Sequence, residues 1–306
     1  MTDRAAALPP IGSDIEDVFG DHSVIDSPVR QVVRRFLRHR LAMTGLIVFS
    51  GIVFLCVFAP MVGRYDPDTV DLVARNQGPS RDHLFGTDRT GRDTFTRVLY
   101  AGRVSLAVGV VAVAISVSIG LVLGSIAGYF GRSIDNIIMR LTDVMMTFPA
   151  VVLILTVSAI AGPGVRNTML VLGLLNWPIP CRLVRARFLQ VREMEYVTAA
   201  RSIGVPSRRI IGRHALPNVI DVMIVYVTLG IANAILLEAG MSFLGVGVQP
   251  PTPSWGNMLN VARNISVLEG QPWQWMPAGA AIVLTVLAVN LIGDGLRDAL
   301  DPRTRA

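Results

Sequence analysis

At 306 residues, 52% apolar and 16% charged, with a mean hydropathy of +0.53, the chain carries more apolar surface than a soluble domain of its length can bury. Composition therefore points to a lipid bilayer as solvent. The net charge of +6 rests on 28 arginines without a single lysine, and a membrane topology accounts for it without nucleic acid.

Residues 1–28 are polar, with scattered acids and no apolar periodicity, and are expected to form a disordered cytoplasmic head. Over 29–40 the pattern changes. Val29, Val32, Val33, Phe36 and Leu37 form one face and Arg30, Arg34, Arg35 and Arg38 the other, which describes an amphipathic helix lying in the interface. A transmembrane region follows over 41–298, with six segments long enough to cross about 30 Å at about 1.5 Å per residue: 41–62, 104–127, 144–161, 168–184, 219–237 and 277–292. The first is no cleavable signal, being long and placed after a polar head. Cys56 and Cys181 fall near opposite membrane faces, too far apart for a disulfide, and read as packing residues.

With six spans, 19 arginines fall on the side that holds both termini and 9 on the other. The richer side is expected to be cytoplasmic, including a tail over 299–306. The outer loop over 64–103 then contains a charged turn held by Asp88 and Asp93 with Arg89 and Arg92. In the outer loop over 245–276, Pro250, Pro251 and Pro253 forbid regular helix. Ser254 is placed to cap a short helix from Trp255, and Trp273 and Trp275 suit an interfacial belt.

The spans are poor in ionisable groups, and Asp143, Asp221, Glu238 and Asp294 are expected at span ends. A proton- or ion-driven secondary carrier usually needs buried charges, so the driving energy is expected from elsewhere. Asn176, Asn233 and Asn290 lie within or beside spans, where each either makes a helix-packing hydrogen bond or lines a solute pathway. Gly120, Gly124 and Gly128 mark a close-packing seam. No phosphate-binding lysine motif, zinc-protease pair, nucleophile elbow or metal-spaced cluster occurs. A non-catalytic protein without cofactor or metal is expected.

The loop over 185–218 carries the most informative stretch, EYVTAARSIGVPSRRIIGRHALPN over 195–218. Tyr196, Ala199, Ala200 and Ile203 share a helical face. Gly204 suits the left-handed stop, and Pro206 cannot continue the helix. A second short helix is expected over 207–216, halted at Pro217. The small residues let a partner approach closely, and Arg201, Arg208, Arg209 and Arg213 favour the cytoplasmic side.

This hairpin resembles the loop by which permease subunits of ABC importers grip their ATPases, patterned Glu-Ala-Ala, Gly, Ile and Leu-Pro. Ala199, Ala200, Gly204, Leu216 and Pro217 match in register, whereas Thr198 and His214 stand where that family often has Glu and Ile. The segments 83–106, 128–149 and 238–259 resemble the peptide and nickel branch of the same family. The resemblance implies an all-α, six-span type I permease subunit in a bacterial plasma membrane, importing peptides, nickel chelates or similar small solutes. It also implies a second homologous permease forming a heterodimer, two ATP-binding cassette subunits and an extracytoplasmic substrate-binding protein. Docking residues implied by it are Glu195, Tyr196, Thr198, Ala199, Ala200, Arg201, Gly204, Leu216 and Pro217.

Overall fold

A computed structural model describes residues 28–300. The head expected over 1–28 lies outside these apart from Pro28, and so does the tail beyond Leu300. The described chain is helical. Arg30, Arg34 and Arg38 fall on the exposed side of α1 (Pro28–Arg38), and Val32 and Phe36 on its half-buried side. It ends at His39, whose Nδ1 accepts from the Ala42 N–H at 3.1 Å and so caps α2 (Arg40–Val57). His39 Nε2 also approaches Asp298 at 3.5 Å, tying this corner to the far end of the chain.

Several expected span boundaries move. The first span stops at Val57, with Ala59–Val62 a separate turn. The second belongs to α3 (Thr94–Phe130), 37 residues long, about 55 Å at about 1.5 Å per residue and well beyond a bilayer core. Its start at Thr94 corrects the expected outer loop, because residues 94–103 are helical. Asp93 sets that start by accepting the Thr96 N–H at 2.7 Å.

The third and fourth segments are not single helices. α4 (Arg132–Thr147) and α5 (Ala150–Ala161) meet at 87° around Phe148 and Pro149, since Pro149 lacks an N–H and restricts the residue before it. α6 (Val165–Leu175) and α7 (Pro178–Arg192) break at Asn176 and Trp177, just before Pro178. Residues 185–192 of the expected docking loop are thus the end of α7. After α8 (Glu195–Ser202) comes α9 (Ile220–Phe243), then the short α10 (Trp255–Leu259) and finally α11 (Met276–Leu300). Among the described residues four helices are long and apolar enough to cross a membrane, and the bent pair α4–α5 makes up to five.

The core forms where small residues let α3 meet its neighbours. A Cβ on Gly120 would lie 2.8 Å from Pro180, one on Gly124 2.5 Å from the Cys181 carbonyl, and one on Gly128 would strike Phe188. The expected glycine seam is therefore the α3–α7 contact. Gly109 admits Ile235 of α9 in the same way, and Gly45 of α2 lies against Ala288 of α11. Both cysteines are buried and free.

At the end opposite the hairpin, hydrogen bonds fix the loops. Ser254 and Asn257 form a reciprocal capping box at the start of α10. Asp88 accepts from the Thr90 N–H at 2.8 Å, the Arg92 N–H at 3.0 Å and Arg92 Nε at 2.8 Å. Burial pushes its carboxyl up, but the Thr90 hydroxyl donating at 2.7 Å, the two N–H bonds and the Arg92 charge outweigh burial and hold it below the ordinary value. Glu238 corrects an expectation: it sits inside α9, fully buried. Ser105 Oγ donates to it at 2.8 Å and Ser242 Oγ at 2.7 Å, while those hydroxyls accept the Trp255 and Val248 N–H groups at 3.2 and 2.9 Å.

Candidate functional site

The hairpin grows from the end of α7. Val197 (1% exposed) and Ala200 (9%) turn inward onto Tyr129, Phe188, Val191, Ile210 and Ala215. The helix then stops at Gly204, with φ +80°. Its N–H donates to the Arg201 carbonyl at 3.0 Å, and the Val205 N–H donates to the Ala200 carbonyl at 3.1 Å, the paired bonds of a Schellman stop. A Cβ on Gly204 would meet nothing within 4 Å, so glycine is needed here for its backbone angle and not for space.

Beyond Pro206 the second arm is helical but irregular. Ser207–Arg209 is α-helical, Ile210–Ala215 is a π-turn and Leu216–Asn218 a 3-10 turn. The wide π-turn puts Ile210 and Ala215, five residues apart, both into the core. Pro217 therefore does not halt the arm as expected. It sits in the first turn of the 3-10 segment, where its missing N–H is harmless. Asn218 Nδ2 joins the arms by donating to Tyr196 Oη at 3.1 Å and to the His214 carbonyl at 2.7 Å. Tyr129 at the end of α3 reaches both arms, with its hydroxyl donating to Ser207 Oγ at 3.2 Å and the Arg201 guanidinium 5.4 Å from its ring.

The expected docking face is corrected in one respect. Tyr196, Ala199 and Ile203 do face outward, with Ile203 82% exposed, but Ala200 lies on the neighbouring stripe with Val197 and packs inside the protein. The i, i+3 pair Val197–Ala200 was available in the sequence as the better inward line. Glu195, Thr198, Arg201 and Pro217 are exposed, and Leu216 is half-buried against the core. What the hairpin presents is an outward apolar stripe on its first arm, with Arg201, Arg208, Arg209 and Arg213 also exposed on the two arms.

A second feature lies between α3, α6, α7 and α9. Asn176 and Asn233 line one cavity of about 230 Å³ together with Ser116 and Tyr226. The sequence reading missed the last two, although Ser116 sits one α-helical turn before Gly120. Asn176 Nδ2 donates to the Leu172 carbonyl at 2.8 Å, closing the end of α6. Asn233 is exposed on an apolar helix, where a primary amide is costly against lipid and favours a partner or a cavity. Tyr226 and Leu229 are shared with a larger cavity of about 690 Å³ toward the hairpin end, lined also by Arg187, Asp221 and Arg297. Asn290 lines neither cavity; it lies half-buried on α11.

Two ion pairs join α4 to α7 just ahead of the hairpin. Arg185 grips Asp135 with Nε and Nη2 at 2.5 and 2.6 Å, and Arg182 Nη2 meets Asp143 at 2.5 Å. The outward apolar face of the hairpin, the two ion pairs and a mainly apolar cavity with four polar residues in its lining thus lie along α7 to α9.

Residues 120–306 match the family described as binding-protein-dependent transport system inner membrane component. The chain belongs to this family. Residues 27–79 match a second family, the N-terminal transmembrane domain of oligopeptide transport permease C. A putative peptide permease protein of Brucella suis is 49% identical over 276 residues, 90% of this chain and 91% of that protein. A dipeptide transport system permease protein of Alkalihalophilus pseudofirmus is 42% identical over 280 residues, 92% of this chain and 91% of that protein. A chain of the MetNI methionine ABC transporter, solved in inward-facing conformations, superposes with a TM-score of 0.55 at 15% identity. It covers 67% of this chain and 96% of that one, and shows a shared fold. As a member of the family, the protein is an inner membrane component of a transport system; the hairpin and the cavity residues Asn176, Tyr226 and Asn233 lie within the 120–306 match, and Ser116 just precedes it.

Proposed function

We propose that this protein is the permease subunit of an ATP-driven importer that carries peptides or similar small solutes into the cytoplasm. The observation that carries this reading is the outward apolar patch of Tyr196, Ala199 and Ile203 on an arginine-rich hairpin outside every span. An apolar stripe turned outward on a hairpin beyond the spans suits burial against a partner protein. In this reading the partner is an ATP-binding cassette subunit, and the hairpin passes its movement to α7 and, through Arg185–Asp135 and Arg182–Asp143, to α4.

The peptide assignment draws on the names of the two relatives and on a cavity whose polar lining, Ser116, Asn176, Tyr226 and Asn233, is uncharged. Neutral amides and hydroxyls suit a peptide backbone and make no demand on side-chain charge. In this reading a second homologous permease completes the pathway, a placement supported by the exposure of Asn233, which lines the cavity. Counting α4–α5 and α6–α7 as one crossing each gives six spans with both termini cytoplasmic, in keeping with the arginine distribution. A nickel-chelate cargo is the second possibility within the same branch.

Uptake by the whole complex in proteoliposomes tests the energy source. Uptake of a labelled dipeptide should stop when internal ATP is depleted and persist when the proton gradient is collapsed at constant ATP. Uptake that follows the gradient instead contradicts the reading and favours a secondary carrier.

A further inference from the structure

At the end opposite the hairpin, the loop around residues 76–89 and the turn around 260–274 enclose a cleft of about 580 Å³. Its polar lining consists of Arg89, Arg263 and the amides of Asn76, Asn260, Asn264, Gln271 and Gln274, with no acid. Several of these amides have their oxygens already engaged. Gln274 Nε2 donates to Asn76 Oδ1 at 2.9 Å and to Gln271 Oε1 at 2.6 Å. Asn264 Oδ1 accepts the Ser266 N–H at 3.1 Å and its hydroxyl at 2.6 Å. With their oxygens used internally, Asn76, Asn264 and Gln271 have N–H groups left to offer.

The arginines divide in the same way. An adjoining hollow shares Arg89, Asn260 and Gln274 with the cleft and adds Arg92 and Arg97. Those two are partnered, Arg92 by Asp88 at 2.8 Å and Arg97 by Asp68 at 3.3 Å. Arg89 and Arg263 have no carboxylate among the described residues, and both are exposed. Asp88 and Asp68 are taken by the inner pair, and among the described residues neither Asp82 nor Glu269 of the same loops is within ion-pair distance of Arg89 or Arg263, which leaves the outer pair beside donor-rich amides. Among side-chain groups, the one that only accepts hydrogen bonds and carries the opposite charge is the carboxylate.

We infer that this cleft is a carboxylate-binding site that receives an aspartate or glutamate of the external substrate-binding protein. The inference rests on the proposed function, which places such a protein at this end. The cleft is built from loops and shares no residue with the cavity containing Asn176 and Asn233. A solute crossing through that cavity need not meet it, whereas a protein seated on this end must lie over it. Complementary charge of this kind steers encounter and fixes orientation.

The test uses the whole complex in nanodiscs and the substrate-binding protein that co-purifies with it, with affinity measured by surface plasmon resonance over a range of NaCl. Arg89→Glu combined with Arg263→Glu should weaken binding about tenfold or more at low salt and flatten the salt dependence. Changing one acidic residue of the binding protein to arginine should recover much of the loss. Basal ATPase activity without the binding protein, and permease abundance, should stay at wild-type levels, which separates docking from folding. Wild-type affinity and an unchanged salt slope in the double variant would overturn the inference while leaving the importer reading intact. A defect seen only with peptides bearing a free C-terminal carboxylate, and absent for their amides, would also overturn it by assigning the cleft to the solute. If the wild-type complex binds no external protein at all, the importer reading itself fails, and the cleft's occupant with it.

Discussion

At the hairpin end Ile203 stands 82% exposed and Tyr196 and Ala199 face outward beside it, whereas at the opposite end Glu238 and Trp255 are sealed inside a lattice of serine and backbone hydrogen bonds. The first region keeps apolar surface unspent, and the second spends its polar groups on itself. A surface feature that is unsatisfied within the chain points outward to a partner, while one fully satisfied within the chain holds the fold. Substitutions should divide accordingly: those in the Glu238 lattice lower stability, and those on the hairpin's outer face lower association.

The largest effect is expected in the seam that joins the two regions. Gly124→Val would force a branched side chain to within 2.5 Å of the Cys181 carbonyl, a backbone atom that cannot swing aside, at a cost of about 3 kcal/mol or more. Membrane abundance and thermal stability in detergent should fall together, and an unchanged melting temperature would contradict the packing described here. Next comes Glu238→Leu, which strips the acceptor from the Ser105 and Ser242 hydroxyls and leaves two buried O–H donors unsatisfied, though their oxygens still accept N–H bonds, at about 1–3 kcal/mol each. Glu238→Gln keeps one acceptor oxygen and should lose less. Equal melting temperatures for the two variants would show that the lattice does not hold this end.

Gly204→Val is expected to cost about 1–2 kcal/mol through its positive φ, but locally. Protease cleavage in the hairpin should speed up while the melting of the spans stays put. The smallest effect is expected at Asp88. Its carboxyl is held below the ordinary value, so its contribution is present above the unfolded pKa of 3.8 and is lost as pH falls through the lower folded value. Asp88→Asn should therefore destabilise the loop by about 1 kcal/mol at neutral pH and by less in acid, read as amide exchange over residues 86–93. A gap that widens on acidification would reverse the sign of this account.

Much of this division could be read from sequence because it follows from residue types whose backbone consequences are local. Gly204 before Pro206, Ser254 before Trp255, and glycines spaced by four on α3 each produced the feature expected of them. What sequence did not yield depended on which of two equivalent stripes meets the core. Tyr196–Ala199–Ile203 and Val197–Ala200 are both helical stripes, and only the position of Phe188 and Ile210 decides that the second turns inward. Span ends were misplaced for a related reason. Hydropathy marks the lipid-exposed length, but α3 continues nearly three turns before Val104 because Asp93 caps it and Trp255 packs on it, with Trp255 Nε1 donating to the Val98 carbonyl at 3.0 Å. Hydropathy ends the fifth segment at Leu237, just before Glu238, and the serines that accommodate this acid inside α9 are 133 residues upstream and 4 downstream. The breaks at Pro149 and before Pro178 are marked by prolines, but the residue pattern carries no measure of the 87° angle between α4 and α5.

The hairpin's role is tested most directly by ATPase retention. Ala200→Asp is unsuited to this, since Ala200 is packed inside the protein and a charge there would report on folding. Ile203→Asp and Ala199→Asp alter only the outward face. The complex is purified through the permease at matched membrane abundance, and the co-purifying ATP-binding subunit is quantified beside dipeptide uptake. The account predicts that Ile203→Asp loses about tenfold or more of the bound ATPase and a corresponding share of uptake, with the permease's melting temperature unchanged. Full ATPase retention and full uptake in both variants would contradict it.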